Sequence, residues 1–297
     1  MNTTKISAGS ILLAAAVLFS ACNNNAETPK ALVTVTVNDF TITQEDLPSA
    51  QHAPQRSSVA PASYTNVGAM TLAFYDAAGT ETYKVTQLKA STLSGFGTFS
   101  AELPIGNYTM VALGYYVGTG DEFTLTSPTE AAFTSEKPRE TFCTTLAVTV
   151  TNTTPLNLNV TLSRISSMLT ITSTDVRPVS ATKVRTTFSK GGKSFNPSTG
   201  LALTDNGFSQ VNNPSTAVGA AVNVSSCPFL ASDEESMTVT IEVLDDDDNV
   251  LSTKTVSNVP FKRNRKTILS GAIFSASASA ASFQLDTDWI TEETVNF

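Results

Sequence analysis

The sequence has little of the residues that enzymes and metal sites use most. It contains one histidine (His52), one tryptophan and three cysteines, and only 15% of its 297 residues are charged. A catalytic triad needs a base that titrates near neutral pH, and His52 stands in a proline-rich stretch beside no obvious nucleophile. Zinc sites need several Cys and His residues at close spacing. The sequence therefore predicts no catalytic residues, no metal site and no cofactor.

Positive charge is also scarce, because 18 Lys and Arg stand against 26 Asp and Glu for a net charge of −8. Recognition of nucleic acids depends on Lys and Arg that neutralise phosphates, so no nucleic-acid partner is expected. Beyond the N-terminal region, no apolar run approaches the length of a membrane span. A lipid anchor is the one membrane contact that the sequence predicts.

That anchor is predicted at Cys22. Residues 1–21 have a short head with Lys5, an apolar stretch from Ile11 to Phe19 and small residues before the cysteine, as in a secretory signal peptide. A cysteine at the first mature position looks like a bacterial lipobox, in which the thiol is acylated. Each buried methylene contributes about 0.8 kcal/mol, so several acyl chains anchor stably. The alternative is an ordinary signal peptide followed by a chance cysteine.

The mature chain has the alternation of β-strands. Residues 22–30 are small and polar, which predicts a tether. Val33, Val35 and Val37 then alternate with polar residues, and similar short segments recur about every ten residues. The pattern predicts an all-β fold of two sandwich domains, an N-terminal one over 31–163 and a C-terminal one over 164–297. A single long strand over 156–172 would contain the junction.

Several segments are predicted to be irregular. The stretch from Gln44 to Ser63 contains three prolines and Arg56 and predicts an exposed loop. The run Asp245–Asp248 lacks the spaced ligands of a calcium loop, so it predicts a solvated hairpin tip. Gly191–Ser194 lacks the first glycine of a phosphate loop and predicts a turn. The Ser/Ala run 275–282 predicts a flexible connection before a last strand.

With Cys22 acylated, Cys143 and Cys227 are left. Exported proteins can form disulfides, so these two could pair. They also lie in different predicted domains, and buried free thiols are common. Both outcomes stay open from the sequence.

Four motifs together resemble the fimbrillin-type lipoproteins of Bacteroidales. They are the lipobox at Cys22, the turn Leu103-Pro104-x-Gly106-x-Tyr108, the strand Val160–Arg164, and the stretch Val259–Gly271 with its Pro-x-x-x-Asn-x-x-Thr-x-x-x-Gly pattern. The resemblance implies two transthyretin-like β-sandwich domains in tandem. It also implies a lipoprotein on the surface of the outer membrane that builds fimbriae, the type V pili, with other pilus subunits as partners.

The resemblance further implies a mechanism of assembly. In polymerising members an arginine-specific protease cuts in the loop after the first strand, which here contains Arg56. The first strand leaves with its lipid, and a strand from a neighbouring subunit fills the groove. The donor here would be the C-terminal segment 283–297. Anchor members instead keep their lipid.

Three functions follow from these observations. The leading one is a non-enzymatic pilus subunit or related adhesion lipoprotein, which could bind a host or bacterial surface ligand. The alternative is a surface glycan-binding lipoprotein that uses Trp289, Tyr115 and Tyr116, because aromatic rings stack on sugars. The third is a hydrolase with paired carboxylates, although nothing in the sequence singles out a pair.

Overall fold

The computed structural model describes residues 28–44, 55–91, 95–134, 137–214, 217–275 and 284–286. All regular elements in these ranges are β-strands. The strands are β1 (Lys30–Gln44), β2 (Gln55–Val59), β3 (Ala69–Asp76), β4 (Glu81–Leu88), β5 (Thr98–Pro104), β6 (Gly106–Tyr115), β7 (Phe123–Ser127), β8 (Glu130–Phe133), β9 (Thr141–Val150), β10 (Leu156–Arg164), β11 (Met168–Ser173), β12 (Lys183–Phe188), β13 (Ser194–Asn196), β14 (Leu201–Ala202), β15 (Phe208–Asn212), β16 (Asn223–Ser226), β17 (Glu234–Leu244), β18 (Val250–Lys262), β19 (Lys266–Gly271) and β20 (Gln284–Asp286).

The first part of the chain forms two layers that are joined at one corner. One layer has the order β5-β1-β10, with β2 beside the end of β1, and the other has the order β4-β3-β6-β9. The corner pairs only Ser163 with Cys143 and Arg164 with Phe142. Apolar side chains from the facing sides of both layers form a continuous core. Tyr108, the last residue of the turn motif in the sequence, is buried there and donates its hydroxyl to the carbonyl of Pro104 (2.8 Å).

The second part of the chain has two four-stranded sheets with a core of their own. Their orders are β16-β11-β19-β20 and β15-β12-β17-β18. The acidic run 245–248 is the tip of the β17–β18 hairpin, as predicted. Asp248 takes a positive φ of 64° there, and the Asp245 carboxylate accepts the backbone N–H groups of Asp247 and Asn249.

A third core cluster takes residues from both sides of the predicted boundary at 163/164. The small sheet β7-β8-β13-β14 combines strands from both sides, because β8 pairs with β13. Aromatic rings pack in series beneath it, from Tyr115 on Phe123 (4.2 Å between centroids) to Phe195 on Phe229 (4.5 Å). The two larger cores are therefore connected through apolar contacts.

Two of the predictions from the sequence are wrong in part. The predicted long strand over 156–172 is two strands, since the buried residues 165–167 separate β10 from β11. The predicted loop from Gln44 to Ser63 contains β2. The sequence of β2 has no apolar alternation, and it forms because its backbone pairs with the end of β1. A tertiary contact of this kind gives no local signal.

Candidate functional site

The candidate site is built around β1, the first strand after the predicted tether. Val33 and Val35 are fully buried and Val37 is 3% exposed, while Leu32, just before them, is 45% exposed. This is the alternation expected of a strand with one face in a core. Fully burying a Val side chain stabilises a fold by about 1.5–3 kcal/mol, so β1 is a major part of the first core.

A β-bulge adjusts the end of the buried face of β1. The pairing with β10 shifts between Val37 and Asp39, so Asn38 is an extra residue. With strict alternation Asp39 would point inwards and Phe40 outwards. The bulge reverses this, and Phe40 is fully buried. Its ring stacks on Phe142 with centroids 4.6 Å apart.

A glycine makes room for this ring. A Cβ atom on Gly114 would lie 2.9 Å from Cε1 of Phe40, closer than carbon atoms tolerate. Gly114 directly precedes Tyr115, and in the structure it serves the packing of Phe40. The absence of a side chain at Gly114 thus allows the Phe40 ring of β1 to be buried.

β1 is paired along both of its edges. On one edge it runs parallel to β10, from Val33 beside Leu156 to Thr41 beside Ser163. On the other edge it runs antiparallel first to β5 and then to β2. β1 therefore lies between β10 and β5, and the space that it occupies between these two strands is called the slot below. Without β1, each would present an unpaired row of backbone N–H and C=O groups to the other.

A buried polar network lies next to Phe40. Arg164, at the end of β10, donates to Glu140 Oε1 (2.7 Å), to the Tyr64 hydroxyl (2.7 Å) and to Asn264 Oδ1 (3.1 Å). Tyr64 donates in turn to Glu140 Oε1 (2.5 Å). The Arg164 side chain has no exposed surface, and its guanidinium lies 5.0 Å from the centre of the Phe142 ring. The network links the slot to the loop of Asn264 in the second part of the chain.

Burial governs the protonation of this network. It raises the pKa of Tyr64 well above its usual value of 10, and the neighbouring negative charge of Glu140 adds to the rise. Tyr64 therefore stays protonated and acts as a hydrogen-bond donor. In the sequence, Arg164 is marked only as the last residue of the motif Val160–Arg164, and nothing local points to Glu140.

Arg56 lies in β2, where its backbone is beside Thr43 of β1. The exposed loop predicted at this position is thus partly a paired strand. Among the described strands β2 pairs with β1 alone. Cys22 and His52 lie outside the described residues.

Cys143 and Cys227 are both buried, and each is a free thiol in the structure. Cys143, on β9, donates to the carbonyl of Pro197 (Sγ to O, 3.4 Å). Cys227 follows β16 and lies near Glu140. Burial raises the pKa of each thiol to about 12.

The C-terminal end of the described chain is held by one carboxylate. Asp175 accepts the backbone N–H groups of Ile273, Phe274 and Ser275, each at 2.9 Å. Lys254 Nζ donates to the carbonyl of Ser275 (2.9 Å). Beyond the Ser/Ala run, β20 pairs antiparallel with β19. The rest of the predicted donor segment 283–297 lies outside the described residues.

The two tyrosines proposed for glycan binding do not share one surface. Tyr115 is buried (7% exposed) and its hydroxyl is 3.2 Å from Thr71 Oγ1. Tyr116 is 40% exposed, and its ring packs against the guanidinium of Arg139. That guanidinium forms a bidentate ion pair with Asp121. Trp289 lies outside the described residues. Tyr116 is thus the one member of the set shown at the surface.

Within the described ranges, no group of three or more His, Cys, Asp or Glu residues is arranged to hold a metal ion. No helix in those ranges is long and apolar enough to cross a membrane.

Solved structures similar to this chain come from Bacteroidales. A proposed adhesin from Bacteroides ovatus is 12% identical, with a TM-score of 0.49, over 78% of this chain and 84% of its own. A proposed polysaccharide-binding protein from Bacteroides thetaiotaomicron is 11% identical, with a TM-score of 0.48, over 89% and 99%. The fimbrial anchor protein Mfa2 from Porphyromonas gingivalis is 12% identical, with a TM-score of 0.48, over 87% and 97%.

Identities and TM-scores of this size carry no function over to this chain. No curated protein matches its sequence. One family model does match, and it spans residues 72–296, which is most of the chain. The chain belongs to DUF6562, a family of unknown function.

Proposed function

We propose that this protein is a non-enzymatic subunit of a cell-surface fimbria or adhesive structure, which is anchored through acyl chains on Cys22 and assembles by exchange of β1. The observation that carries the proposal is the position of β1. It is the first strand after the predicted tether, it is buried in the core, and it lies between β10 and β5.

The slot has the features that a replacement strand needs. Adjacent strands are about 4.8 Å apart, so the loss of β1 would leave β10 and β5 about 10 Å apart, the width of one added strand. The vacated pockets of Val33, Val35, Val37 and Phe40 would favour an alternating apolar sequence. Backbone hydrogen bonds supply affinity in such strand addition, and the pockets supply specificity.

Cleavage after Arg56 would free all of β1 from the remaining chain. Three residues of β2 would stay with the product, and β2 has no described pairing other than β1. Cleavage requires the Arg56 backbone to leave this pairing, which a short edge strand does at low cost. The partners would be other pilus subunits, and the donor would be the C-terminal segment 283–297 of a neighbour.

The test uses the mature chain with Cys22→Ser and an arginine-specific protease. We expect one discrete product that begins at Ser57, identified by mass spectrometry. The cleaved protein should bind a labelled peptide of residues 28–44, and the uncleaved protein should not. The same peptide with Val35→Asp is the matched control and should not bind, because its charge would enter the core.

Two outcomes would overturn strand exchange. One is an Arg56→Lys chain that is shortened in the same way as the parent. The other is a cleaved chain that binds the Val35→Asp peptide as well as the native one. Mass spectrometry of the N-terminus on whole cells separates the two kinds of subunit, because an anchor keeps acylated Cys22 and a processed pilin begins at Ser57.

A further inference from the structure

The hairpin of β9 and β10 leaves an open sheet edge. Its two strands pair with each other only at residues 142–143 and 163–164 and diverge beyond them. β10 pairs with β1 on its inner side, and no described strand or backbone hydrogen bond meets residues 156–162 on the outer side. These residues therefore present unpaired backbone groups to their surroundings.

Two other edges in the described part of the molecule are protected. The outer side of β4 is joined to β5 by side chains, since Tyr83 donates to the carbonyl of Ser100 (2.9 Å) and Gln87 to that of Thr98 (2.7 Å). The edge strand β18 contains Lys254 and Pro260, and its pairing with β17 shifts register twice. Lysines, prolines and bulges are the usual means by which edge strands avoid pairing with other chains.

β10 contains no lysine and no proline, and the one bulge in its pairing lies on β1, at Asn38. Residues 141–163 contain no charged side chain, in a chain whose net charge is −8. Along β10, Asn157, Asn159 and Thr161 are exposed, and Leu156 and Leu158 are only partly buried. Leu146 on the neighbouring strand β9 is 42% exposed. The edge is therefore neutral, partly apolar and regular.

We propose that the outer edge of β10 binds the same edge of a second copy of this chain, antiparallel and about a two-fold axis. Such an interface is self-complementary, because each copy offers the same surface to the other. With the axis at Asn159, Leu158 faces Val160 of the second copy and Asn157 faces Thr161. Two chains that each carry −8 repel one another, and an uncharged edge is a place where they can meet without opposed like charges.

This contact leaves β1 in place and continues the layer β5-β1-β10 into the second copy. It does not depend on cleavage at Arg56 and is independent of strand exchange. In an assembly built by strand exchange it would connect subunits sideways.

The test measures self-association of the uncleaved mature chain with Cys22→Ser by sedimentation velocity over a wide concentration range. We expect a monomer–dimer equilibrium that Asn159→Lys and Asn159→Glu each weaken at least tenfold, because like charges would face each other across the axis. An equal mixture of the two variants should recover the dimer, because opposite charges then meet. Circular dichroism checks that each variant is folded.

Thr253→Lys is the matched control, because Thr253 is an exposed residue of the protected edge strand β18. It should leave association unchanged. The proposal is overturned if the parent chain is monomeric at every concentration, if Thr253→Lys weakens the dimer as much as Asn159→Lys, or if the mixture of charge variants fails to recover it.

Discussion

The two ends of the described chain are held in contrasting ways. β1 has 15 residues, is paired on both edges and has one face in the core. β20 has three residues and pairs only with β19 at the end of a sheet. Loss of β1 would expose the interior of the first core, whereas loss of β20 would remove one short edge strand from its sheet. β1 is therefore the end whose removal would open a slot for another strand. β20 is the end that can detach from its sheet at low cost.

The largest effect is expected from a charge inside the slot. Val33→Asp would place a carboxylate at a fully buried position with no partner, which costs several kcal/mol. We expect the first core to lose cooperative unfolding, as measured by thermal denaturation followed by circular dichroism. Leu32→Asp is the control on the opposite face of the same strand, and we expect it to change the free energy of unfolding by less than about 0.5 kcal/mol. Equal losses for both variants would contradict the one-sided burial of β1.

The alternation in β1 made this strand predictable from the sequence, and the proline-rich segment after it concealed β2. Local patterns report which residues face a core. They do not report a parallel partner more than 100 residues away, as β10 is to β1. The phase shift at Asn38 was also missed, because a bulge depends on the partner strand and not on the alternation itself.

The polar network was the least predictable part of the site. Tyr64, Glu140 and Arg164 are separated by up to 100 residues, and each is unremarkable in its own sequence context. Their contacts follow from the tertiary fold alone. The hairpin tip at 245–248, by contrast, was predicted correctly, because an acidic run between two alternating segments is a local signal.

A smaller but still large effect is expected next to the slot. Glu140→Gln would leave Arg164 buried without its countercharge, and removing one partner of a buried pair costs about 3–5 kcal/mol. Chemical denaturation measures the loss. Glu81→Gln, in the exposed pair of Glu81 with Lys84, is the matched control and should cost less than about 1 kcal/mol. If Glu140→Gln cost no more than this control, the network would not stabilise the region around β1.

A smaller loss of stability is expected from a substitution that releases the C-terminal end of the described chain. Asp175→Asn keeps the shape of the side chain but removes the charge that accepts three backbone N–H groups, so we expect a loss of about 1–3 kcal/mol. Hydrogen exchange of residues 273–275 should quicken, while that of β1 should stay unchanged. If hydrogen exchange in β1 also became faster, the effect of Asp175 would not be confined to the C-terminal end of the described chain.

The last prediction concerns Cys143 and Cys227. We expect neither thiol to react with a thiol reagent while the chain is folded. Burial raises the pKa of Cys143 and of Cys227 to about 12, so both stay protonated and inert towards a thiol reagent at pH 8. Because folding raises these pKa values, their stabilising contribution is complete below the ordinary thiol pKa and is lost as the pH rises towards 12. In the Cys22→Ser chain, denaturant without reductant should release two reactive thiols. No reactive thiol under those conditions would mean that Cys143 and Cys227 pair after all.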